Sequence, residues 1–61
     1  MKTQMMQLAD QVAKNMYTIS IALRTNDLVL AHQALEIAQA NLAVLRQMLE
    51  EASLTDEHPF S

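Results

Sequence analysis

Four leucines, Leu28, Leu35, Leu42 and Leu49, stand seven residues apart, and Ala31, Ala38, Leu45 and Ala52 interleave with them at the same interval. Two apolar positions in every seven place these side chains on one stripe of a helix; a strand would scatter them over both of its faces. The run is short for a supercoil, so the pattern predicts the seam of a bundle helix over about residues 28–52.

A second stripe precedes it. Met5, Ala9, Val12, Met16, Ile19 and Leu23 follow one another at intervals of 4, 3, 4, 3 and 4, with Gln7, Gln11, Lys14 and Thr18 opposite. This predicts an amphipathic helix over about residues 3–24. Continuing the stripe beyond Leu23 reaches residues 26, 30, 33 and 37, which are Asn, Leu, Gln and Ile, so the leucine repeat is out of phase with it. Thr25-Asn26-Asp27 lies at the slip. Asn tolerates the left-handed conformation that ends a helix, and Asp27 or Asn26 can accept from the free amides of the next one. Asp27 also suits the positive end of the second helix dipole and Arg24 the negative end of the first. The expected fold class is all-α: residues 1–53 form an antiparallel two-helix hairpin, and residues 54–61, with Pro59 and Phe60, a flexible acidic tail.

A chain of 61 residues buries only about 60% of its unfolded surface, and domains this small need a staple. Cysteine is absent, and His32 and His58 stand too far apart to form a ligand cluster, so no disulfide, metal or cofactor is expected and self-association remains. No signal peptide or membrane span is expected, because charged or amide residues interrupt each apolar stretch, and the expected location is the cytoplasm. Residues 1–26 carry Lys2, Lys14 and Arg24 against Asp10, or +2; residues 27–61 carry Arg46 against Asp27, Glu36, Glu50, Glu51, Asp56 and Glu57, or −5. The four basic residues are too scattered for a phosphate-binding surface, so nucleic acid is not the expected partner.

Leu30, Ile37 and Val44, with Met48 near them, widen the apolar arc of the second helix to roughly half its circumference. One partner helix cannot cover that arc, and a dimer of hairpins forming a four-helix bundle would. The expected hairpin core is Met5, Val12, Met16, Ile19 and Leu23 against Leu28, Leu35, Leu42, Leu45 and Leu49, with Leu30, Ile37, Val44 and Met48 as the dimer interface, although the two stripes could exchange roles. Ile37→Glu is then expected to break the dimer. Ala31, Ala34, Ala38 and Ala52 lie near the middle of the arc, where they would permit close approach.

Other residues invite sharper readings. His32 and Glu36 are spaced as a solvated i,i+4 pair, without the further ligands that a metal needs. Asn15 and Asn41 border the apolar faces, where a buried amide would fix register; exposure at the edge is the expectation. No nucleophile stands near a base, so no catalytic residue and no enzymatic activity are expected.

The expected function is regulation through helix–helix protein contacts. The length and architecture resemble the Rop family of RNA-binding plasmid regulators, which implies an RNA role on the face of Gln7, Gln11, Lys14 and Thr18 as the alternative. Small helical secretion co-chaperones share the hairpin shape. The run NDLVLAHQALEIAQANLAVLRQMLEEA, in a short cysteine-free chain with an acidic end, looks like the small accessory proteins of lambdoid temperate phages, including those of the exo-xis early region. That resemblance implies a part in host takeover or in the choice between lysis and lysogeny, and assigns no residue a role.

Overall fold

The computed structural model describes residues 2–55, which form an all-α hairpin of two helices, α1 (Lys2–Arg24) and α2 (Leu28–Thr55). The second helix runs three residues past the expected end at 52, taking Ser53 and Leu54 into its last turn. Nothing in Ser-Leu-Thr removes an amide donor or clashes with the preceding turn, so the helix has no local reason to stop there. The rest of the expected tail, with His58, Pro59 and Phe60, lies outside the described residues.

The reversal between the helices is built by residues 25–27. Asn26 adopts a φ of 59°, in the left-handed region. For most L-residues that conformation costs about 1–2 kcal/mol, and Asn is among the few that visit it routinely. Its effect is to aim two successive amides back into α1: Asn26 N donates to the Leu23 carbonyl at 3.2 Å and Asp27 N to the Ala22 carbonyl at 2.7 Å. This pairing is a Schellman cap, closed without glycine. The Thr25 hydroxyl donates to the carbonyls of Ile21 and Ala22, covering more of the helix end. Asp27 then opens α2, because its Oδ1 accepts from Leu30 N at 3.1 Å and its carbonyl accepts from Ala31 N. A side-chain cap of this kind is worth about 1 kcal/mol.

The seam along which the helices meet differs from the one expected. In α2 the least exposed residues are Ala31, Ala34, Ala38, Asn41, Leu45, Met48 and Ala52; in α1 they are Met5, Leu8, Val12, Asn15, Ile19 and Ala22, with Thr18 and Ser20 beside them. Met5, Val12, Ile19 and Leu45 thus lie in the contact as expected. Met16, Leu23, Leu28, Leu35, Leu42 and Leu49 do not; each is exposed. The cause is size. Helices approach most closely over small side chains, and α1 settles on the alanine row, leaving the leucine row three residues earlier in each repeat, about 60° round the helix.

The consequence is a very thin core. Among the described residues the buried side chains are Ala22, Ala31, Ala34 and Ala38 alone, and no large apolar side chain is fully buried. The molecule is a rod of 47 × 18 × 14 Å with a radius of gyration of 14.6 Å, against about 10 Å for a compact globule of this length.

Candidate functional site

Each helix presents two rows that flank the seam, and the antiparallel pairing brings the rows together on two broad faces. On one face Ala9, Met16 and Leu23 of α1 lie on the same side as Leu28, Leu35, Leu42 and Leu49 of α2. The seam residues leaning toward it are Met5, Val12, Ile19, Ala31, Ala38, Leu45 and Ala52, so this face is apolar from end to end apart from Lys2. A groove on this side is lined by Leu42, Leu45, Leu49 and Leu54, edged by Arg46, Glu50 and Ser53.

The opposite face is mixed. Leu30, Ile37 and Val44 of α2 stand beside Gln4, Gln11 and Thr18 of α1, and a groove there brings Val44, Met48 and Leu8 together with Gln4, Gln7, Gln11, Asp10 and Lys14. The polar residues expected as an RNA-contacting face therefore share one wall with a carboxylate. Lys14 is the only cation lining that groove, which gives little attraction for a phosphate backbone.

The two faces differ at the seam as well. Asn41 Nδ2 donates to Asn15 Oδ1 at 3.2 Å across the helices, with both residues half-buried on the mixed side. This corrects the expectation that the two amides point into solvent. The pair is a polar contact between α1 and α2, and it fixes how far one helix slides along the other. Asn41→Leu is expected to cost about 1–2 kcal/mol by leaving the Asn15 amide unpaired, whereas Asn15→Leu with Asn41→Leu recovers that stability and loses the unique register. Denaturant melts of the three variants, with amide spectra to show a single or a mixed set of resonances, check this.

The remaining polar groups lie on the outside. His32 Nδ1 is 3.6 Å from Glu36 Oε1 and Arg46 Nε is 3.4 Å from Glu50 Oε2, both within α2 and strongly exposed, where such pairs contribute a few tenths of a kcal/mol. Among the described residues no group of three or more His, Cys, Asp or Glu side chains is placed to hold a metal ion. Against the expectation that polar residues break up each apolar stretch, Leu28–Leu54 of α2 is long and apolar enough to cross a membrane by length and composition. No protein-family model, curated protein or solved structure matches the chain.

The alanine seam could have been found in the sequence, because residues 31, 34, 38, 41, 45, 48 and 52 follow one another at intervals of 3 and 4 as regularly as the leucines do. The leucine row masks it by carrying more apolar area.

Proposed function

We propose that this protein is a small non-enzymatic regulatory or accessory protein that acts through helix–helix contacts as a homodimer, its two hairpins forming a four-helix bundle in the cytoplasm. The observation that carries the reading is the thinness of the core: with four alanines as the buried side chains among the described residues, the hairpin leaves its large apolar residues without cover. Leu35, Leu42 and Leu49 are 43%, 47% and 50% exposed, and Met16 and Leu23 more so. Covering half of one such side chain contributes about 1 kcal/mol, so the face repeated on two copies supplies on the order of 10 kcal/mol before the entropy of association is subtracted.

The face assigned to the dimer is that of Leu28, Leu35, Leu42 and Leu49, where both helices offer apolar rows. This moves the leucine stripe from the hairpin core, where the sequence placed it, to the dimer interface. The stripe of Leu30, Ile37 and Val44 has polar residues of α1 as its neighbours, so it suits the outside of the bundle, where a regulated partner would bind. A bundle also accounts for the apolar length of α2 without a membrane: that helix carries Glu36 and Arg46, and Asn41 is bonded to α1. The phage-accessory resemblance fits a regulatory role of this kind.

Folding coupled to dimerisation makes stability depend on concentration. Helical circular dichroism melts over about a hundredfold range of protein concentration are expected to show a midpoint that rises steadily with concentration. A midpoint independent of concentration would contradict the dimer.

A further inference from the structure

We infer that the two copies associate with their turns at the same end, each α1 lying against the partner's α2. The inference rests on the self-association proposed above and specifies its geometry. Two hairpins can close face to face about a two-fold axis in two ways. An axis parallel to the helices puts each α1 beside the partner's α2 and both turns at one end. An axis across the helices puts α1 beside α1, α2 beside α2, and the turns at opposite ends.

Charge separates the two. Helix α1 carries Lys2, Lys14 and Arg24 against Asp10, a net +2, and α2 carries Arg46 against Glu36, Glu50 and Glu51, a net −2. The same-end layout sets opposite charges against each other at both new contacts, and the opposite-end layout sets like against like at both.

Symmetry then fixes the levels. An axis parallel to the helices allows no sliding of one copy along the other, so a residue of α1 stands level with the same residue number in the partner's α2 as in its own. Asn15 is level with Asn41 through their hydrogen bond. Counting outward in antiparallel register brings Asp10 level with the partner's Arg46, but Asp10 lines the groove of the opposite face and takes no part in the contact. The same register sets Arg24 within about one turn of the partner's Glu36, and Lys2 within about one turn of the partner's Glu50. These contacts lie at the rim and act mainly on orientation.

Side-chain size agrees. The α1 row on this face is Ala9, Met16 and Leu23 and the α2 row is leucine throughout. Setting the lighter row against the heavier one gives both new contacts the same spacing, whereas the other layout packs leucine on leucine along one contact and leaves the other thin.

The chain has no cysteine, so Thr25→Cys at the turn takes one spin label per copy. Pulsed dipolar spectroscopy on the dimer is expected to give a distance below about 25 Å, because the two turns sit on neighbouring helix pairs about 10 Å apart. A distance near 40 Å, about the length of α2 at 1.5 Å per residue, would overturn the layout and keep the dimer. A single-chain mass with no dipolar signal would overturn the dimer and the layout together. Should Thr25→Cys lose its helical signal, charge reversal takes its place. Lys2→Glu is expected to weaken dimerisation about tenfold, and adding Glu50→Lys to restore it. No change in affinity for Lys2→Glu would overturn the layout.

Discussion

Leu42→Glu is expected to convert the dimer to single chains and to lose most of the helical signal at micromolar concentration. Leu42 sits in the middle of the leucine row, on the side of the hairpin where both helices offer apolar side chains, and is 47% exposed in the isolated hairpin. In the bundle it would be enclosed. An unpaired carboxylate placed there costs several kcal/mol, and the two-fold axis repeats it, so affinity falls by roughly four orders of magnitude. Ile37→Glu provides the contrast. Ile37 belongs to the mixed face beside the glutamines of α1, and its replacement is expected to leave the dimer intact. Sedimentation of both variants, with circular dichroism alongside, checks the pair. Loss of the dimer in Ile37→Glu and its survival in Leu42→Glu would restore the stripe assignment first expected from the leucine repeat.

The second large effect is expected at the seam. Ala38 is 1% exposed and lies on the seam between α1 and α2. Ala38→Leu inserts three further carbons into a contact built on small residues, at a cost of about 1–3 kcal/mol. Helices forced apart there also strain the Asn15–Asn41 bond on the neighbouring turn. Where the buried side chains among the described residues are four alanines, that is enough to lower the thermal midpoint by about ten degrees or more. Ala40→Leu, an exposed change of the same size two residues on, is expected to leave the midpoint nearly unchanged. Parallel melts compare them, and equal effects would show that the seam is not where the structure places it.

The turn was the most legible part of the sequence, because its signals are local. Asn26 at a positive φ and Asp27 as the cap of α2 follow from side-chain chemistry that needs no knowledge of the partner helix. The periodicities gave both helices for the same reason. The choice of face was harder, since three rows of α2 repeat every seven residues and periodicity ranks them equally. Large side chains drew the leucines into the expected core, whereas the pair of helices closes on the row that lets backbones approach. Asn15 and Asn41, each taken alone, read as edge residues. Their pairing across 26 positions requires the register, which comes from the turn and the seam together.

The central claim is that the apolar face of Leu28, Leu35, Leu42 and Leu49 is covered by a second copy. Light scattering coupled to size exclusion, across micromolar concentrations, tests it most directly. A mass of twice the 6.9 kDa of one chain, together with high helicity, is expected. A helical species that keeps the mass of one chain throughout that range would contradict it.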